Sequence, residues 1–164
     1  MVEVVDEGTS LQFSFADMLR YSGPGSPAGV AVAYQAMRLA FPLLDPDAAL
    51  ARRAITIETA FRGPGARDAF ELVTRGLTEG RYLVTATLEH PERGTNLEQF
   101  VFRFAYRELA VTLMVREAMV SDEFIALART ENRSADEERR FTAVKAAHAE
   151  AVLAATPDEV FEVR

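Results

Sequence analysis

The sequence predicts an α+β fold: a single domain over residues 1–164, in which a small antiparallel or mixed sheet is covered by helices. Three observations carry this reading. Segments with apolar residues at three- and four-residue steps stand in blocks, separate from segments that alternate with a period of two. The 164 residues are 49% hydrophobic, enough for one sizeable core. No Pro/Ser-rich or single-charge linker divides the chain.

Taken in order, "SFADMLRYS" sets Phe15, Met18 and Leu19 at helical spacing, and Ser14 with Asp17 three residues on supplies a capped start. The Gly/Pro loop "GPGSPAG" (23–29) follows. Val30, Ala33, Met37 and Ala40 then mark a second helix over residues 28–41, stopped at Pro42. "DPDAALARR" reads as a turn and a polar stretch compatible with helix, and "RAITIETAF" alternates β-branched residues as a strand does. "GPGARDAFELVTRG" returns to helical spacing through Ala66, Ala69, Phe70 and Val73, with Gly76 as its stop.

"RYLVTATLEH" and "EQFVFRFAYRELAVTLMVREA" change the period to two and predict strands. Phe100, Phe102 and Phe104 share one face, with Val101 and Arg103 on the other. "YREL" turns the second segment into an antiparallel hairpin, and "HPERGTN" is the loop before it. Ser121 with Asp122 and Glu123 starts a helix to about Ala128, and Ser134 with Glu137 forms a capping box for a long helix to about Ala155. The charged run Glu131 to Arg140 reads as the solvated face of that helix, with mixed signs at i,i+4.

Composition removes several function classes. The 25 acidic residues against 18 basic ones give a net charge of −7, which disfavours nucleic acid and anionic membrane surfaces. "MVEVVDEGTS" has acids where a secretory leader needs a basic start, and no run approaches the ~18 apolar residues of a membrane span. A cytoplasmic location is expected. With no cysteine there is no disulfide, thiolate metal site or cysteine nucleophile. The two histidines, His90 and His148, read as surface residues. No dinucleotide, P-loop, HExxH or GxSxG motif is present.

The candidate site gathers around the two Gly/Pro loops. "GPGSPAG" is either a stiff connector that sets the angle of the next helix or a place where free backbone amides at a helix start meet an anion or carbonyl. "GPG" recurs at 63–65, again before a helix, so two helix starts can face one pocket. Glu58 is the candidate general base if burial raises its pKa; the plainer reading is a solvated or ion-paired strand end. Arg62 is placed to clamp a carboxylate or enolate, and Tyr34 to donate to an oxyanion, with packing as the alternative for the tyrosine. Tyr21, Ser22, Gly25, Ser26, Gly29, Thr59, Gly65, Arg67 and Asp68 are the expected ligand-binding positions, although Arg62, Arg67 and Asp68 also read as an ordinary ion-pair set. Neither serine has a histidine base nearby in sequence, which argues against a triad.

The order of "GPGSPAGVAVAYQAMRLAF", "AITIETAFRGPGARDAFELVTRGLTEGRYLV", the Phe-rich hairpin and "AVLAATPDEVFEV" resembles, over nearly the whole chain, the FmdE-like family, whose type member is a component of formylmethanofuran dehydrogenase. Glu58, Thr59, Asp68, Ala69, Thr74 and Leu83 keep the spacing of that family's second motif, and Gly29 with the small residues after it fits the first. The family's histidines fall within Ser22 to Gly25 and its cysteines near Pro27, within Arg62 to Gly65, and at Gly76. None of these positions holds Cys or His, so the metal site that the resemblance implies has lost its ligands and no cofactor is expected. The C-terminal zinc ribbon of some relatives has no counterpart in the sequence. The resemblance further implies a homodimer with a cleft near its interface.

Three functions follow. The leading expectation is a cofactor-free enzyme performing isomerisation, cyclisation or proton transfer on an apolar organic molecule, with Glu58, Arg62 and Tyr34 as its working groups. A small-molecule binding protein would keep the pocket and have no titratable group inside it. A structural or regulatory component of a larger complex would have a filled cleft and an apolar patch instead.

Overall fold

In the computed structural model, which describes residues 1–164, the chain runs β1 (Val2–Asp6), β2 (Thr9–Phe13), α1 (Phe15–Ser22), α2 (Pro27–Leu44), β3 (Leu50–Ala51), β4 (Ile55–Thr59), α3 (Pro64–Thr74) and β5 (Tyr82–Val84). It continues through β6 (Val101–Tyr106), β7 (Leu109–Val115), α4 (Asp122–Arg129), α5 (Ala135–Ala154), α6 (Pro157–Val160) and β8 (Phe161–Val163). The strands form a three-stranded sheet, β2-β1-β3, and a five-stranded sheet, β5-β4-β6-β7-β8. β4 and β5 are parallel neighbours, joined over the top by α3, and the other pairs of the larger sheet are antiparallel. The predicted α+β class is therefore the observed one.

Register decides which residues make the core. Ile57 stands opposite Phe104 and Thr59 opposite Phe102, and these phenylalanines face Val111 and Leu113 on β7. This face meets α2 and α3: Phe41 lies 6.2 Å from Phe104, and Phe70 packs edge-on to Phe102 at 5.9 Å and Phe104 at 5.6 Å. Burying one such side chain is worth ~1.5–3 kcal/mol. The opposite face carries Glu58 paired with Arg103 at 2.7 Å, while Val101 and Met114 are buried at one end of it.

α2 is the centre of the molecule. Its apolar residues lie on all sides, and it packs on α1, α3, α5 and the large sheet. Its buried Gln35 is satisfied: the amide nitrogen donates to the carbonyls of Val152 at 2.8 Å and Ala155 at 2.7 Å, closing the end of α5, and the amide oxygen accepts from Arg38 at 2.8 Å. No helix is long and apolar enough to cross a membrane.

Several elements differ from the sequence reading. α2 does not stop at Pro42 but runs to Leu44, because a proline in the last turn forfeits a single helical bond, and the Asp45 amide still closes the helix on Phe41 at 3.1 Å. The stop of α3 is Arg75, in the left-handed conformation at φ 57°, rather than Gly76. The polar stretch after Asp45 forms β3 and a 3-10 turn. Long-range contacts override its helical character: Arg52 donates to Asp6 at 3.1 Å and to the Val73 and Leu72 carbonyls at 2.8 and 2.6 Å.

β5 ends at Val84, where Thr85 caps a short 3-10 turn. The β1–β2 hairpin, turned by Glu7 and Gly8 at φ 49° and 80°, and the edge strand β8 are additions that the sequence reading lacks. His148 is also corrected: it is not a surface residue but 9% exposed, on the face of α5 that carries Phe124 of α4 at 4.8 Å.

Candidate functional site

The two Gly/Pro loops converge. Pro27 and Pro64 each occupy the first turn of a helix, where a missing N–H costs nothing, and neither helix start has a side-chain cap. The starts cross at glycine. A Cβ on Gly65 would lie 2.3 Å from the Ser26 carbonyl oxygen, and one on Gly29 would lie 3.1 Å from the Ala66 amide nitrogen. At Gly65 a side chain has no room without moving the Ser26 backbone, and at Gly29 the contact is tight.

Beside this crossing lies a cavity of about 470 Å³. Gly25, Ser26, Ala28 and Gly29 form one rim and Arg62 to Gly65 the next. Thr95, Asn96 and Gln99 close the third side, and α4 and α5 supply Phe124, Ile125, Ala128, Arg129, Phe141 and Lys145. The inner wall is aromatic. Thr59 directs part of it from outside: its buried hydroxyl donates to the Val101 carbonyl at 2.6 Å and accepts from the Phe61 amide at 3.0 Å. Phe61 is thereby held 4.8 Å from Phe100, another lining residue. Across the cavity Phe124 lies 6.0 Å from Phe141.

The polar lining has one sign. Arg62, Arg129 and Lys145 are its ionisable groups, with no carboxylate and no imidazole. Lys145, the single lysine of the chain, donates to the Gly25 carbonyl at 2.7 Å and sits 4.6 Å over the Phe141 ring. Arg129 donates to Asn96 Oδ1 at 3.1 Å and to the Thr95 carbonyl, and Asn96 donates in turn to Asp122 at 2.9 Å. The structure thus ties both ends of α4 to the 95–96 loop.

Five expected site residues line the cavity: Arg62, Gly25, Ser26, Gly29 and Gly65. Thr59 supports it without lining it. Glu58 lies on the outer face of the sheet with Arg103, and Tyr34 accepts a bond from the N-terminal ammonium at 3.0 Å, beside Phe15. Ser22 donates to Asp68 at 3.0 Å and Arg67 pairs with Asp68 at 2.8 Å, so these three join α1 to α3 apart from the cavity. Tyr21 is exposed over a shallow depression between α1 and β2. Arg129, Lys145, Asn96, Phe124 and Phe141 are lining residues the sequence reading did not single out. The one local signal for them is the Phe141 to Lys145 spacing of four, which puts both on one side of α5.

Ser22 to Gly25, Pro27, Arg62 to Gly65 and Gly76 offer no Cys or His, a donor set that does not fit a soft-ligand metal. The structure brings together no cluster of three His, Cys, Asp or Glu side chains suited to a metal ion. No protein-family model matches the chain, and no curated protein matches it.

Proposed function

We propose that the protein binds a small organic molecule in the cavity at the joint start of α2 and α3. One observation carries this reading: two loops about forty residues apart meet an aromatic wall around a single space of about 470 Å³, within the range of small-molecule pockets, ~300–1,000 Å³. The placement of Glu58 favours binding over turnover. A base must reach the proton it removes, and Glu58 is engaged by Arg103 on the far side of the sheet. The resemblance to FmdE-like proteins rests on the sequence motifs and supports a cleft at these loops.

Native mass spectrometry of the purified protein, followed by denaturation and identification of any released compound, tests the reading. An organic passenger is expected. Ala128→Trp, at an exposed lining position, is expected to fill the space and eliminate the passenger. A passenger retained in full by this variant sits elsewhere and overturns the proposal.

A further inference from the structure

We infer that the molecule taken by this cavity is an amphipathic organic acid, its anionic head held by Arg62, Arg129 and Lys145 and its apolar body laid against Phe61, Phe124 and Phe141. The inference rests on the cavity being a binding site and adds the chemical class of the ligand.

Across most of the molecule, cations are paired with acids. Of the 18 Lys and Arg residues, only Arg38, Arg62, Arg93, Arg116, Arg129 and Lys145 lack a carboxylate partner within ion-pair distance. Three of those six line this one cavity. None of the 25 acidic residues does, in a chain whose net charge is −7. Elsewhere the excess of acid finds nearly every cation; here a patch of one sign is left open.

The donors at the patch are not used up. Arg62 makes no hydrogen bond to the protein, Lys145 gives one of its three protons to Gly25, and Arg129 uses one bond from each terminal nitrogen, leaving part of its fork free. A planar fork and an ammonium suit a carboxylate or phosphate oxygen pair. The two uncapped helix starts on the same rim add partial positive charge. The rings of Phe61, Phe100, Phe124 and Phe141 stand among these cations in the same lining and suit an apolar body attached to the anionic head.

Titration calorimetry with matched probes tests this on the intact protein: 4-phenylbutyrate against 4-phenylbutan-1-ol, and octanoate against octan-1-ol. Each acid is expected to bind about tenfold or more tightly than its alcohol, the scale of a charge-assisted hydrogen bond. Arg62→Gln, at an exposed side chain without protein hydrogen bonds, is expected to weaken the acids about threefold or more and leave the alcohols unchanged; Arg129→Gln gives a second, independent reading. Acids and alcohols of equal affinity, or acids indifferent to both variants, overturn the inference while the binding reading stands. Failure of all four probes to bind overturns both.

Discussion

His148 is the residue whose chemistry is least at ease in this fold. Neither ring nitrogen has a hydrogen-bond partner, and the ring is held edge-on to Phe124 at 4.8 Å. Burial alone pushes its pKa below the ordinary 6.5, with no charged neighbour contributing; the other ionisable groups lining the same groove, Glu123 and Arg140, are paired with each other. The folded state therefore keeps the ring neutral at pH values where the unfolded chain takes up a proton, so stability falls as pH drops below about 6.5 and levels off below the folded pKa. Urea unfolding at pH 8 and at pH 5 should show a larger loss for the wild type than for His148→Phe. Equal losses would assign the effect to the carboxylates instead. At this scale the loop residues of the site were legible, because Gly25, Ser26, Gly29, Arg62 and Gly65 sit in or beside local Gly/Pro signals. Glu58 and Tyr34 were not, since the side a strand or helix residue faces depends on partners far away in sequence. Arg129 and Lys145 reach the cavity only because α4 and α5 fold back over the loops.

The crossing of α2 and α3 holds the rim of the cavity, and its closest approach is at Gly65. Gly65→Ala would put a Cβ 2.3 Å from the Ser26 carbonyl, which is backbone and cannot step aside without moving a helix. A loss of about 1–3 kcal/mol is expected from the urea midpoint, the scale of overpacking in a tight core. Gly25→Ala is the comparison within the other "GPG", because nothing lies within 4 Å of its Cβ position; it should stay within about 0.5 kcal/mol of wild type. If Gly65→Ala is equally neutral, the helices have room to separate and the rim is not fixed. Elements announced by signals within a few residues were readable. Ser14 with Asp17 and Ser134 with Glu137 are capping boxes in the structure, and the Phe-rich hairpin pairs across "YREL". β3 and β8 were not, being strands of two and three residues that exist by pairing with distant segments, and the β1–β2 hairpin, though it pairs locally across Glu7 and Gly8, has short strands of which the second is mostly exposed.

Across the whole molecule, burial is distributed around α2, and α4 is left at its edge. Eleven of the 18 residues of α2 are buried, whereas among the eight of α4 only Ile125 is. Beyond that contact α4 is held by the half-buried Phe124, packed on Phe141 and His148, and by exposed polar bonds: the Ser121 cap at 3.1 Å, the Glu123–Arg140 pair, and the clasp of Asp122 and Arg129 on Asn96. Such exposed pairs contribute ~0–1 kcal/mol each, and far less protection than a buried helix receives. The wall of the cavity that contains Phe124 thus opens at less cost than α2, which stays fixed in the core. Hydrogen exchange measured by mass spectrometry should show residues 125–129 exchanging at least about a hundredfold faster than residues 33–40, a difference of about 3 kcal/mol in opening free energy. Saturation with 4-phenylbutyrate should slow exchange in α4 and leave the centre of α2 unchanged, because the ligand closes α4 against the loops and α2 is already fixed in the core. Equal protection of α4 and α2 in the free protein would make the two helices one cooperative unit, and entry to the cavity would then have to pass between the rims of the 23–29 and 63–65 loops.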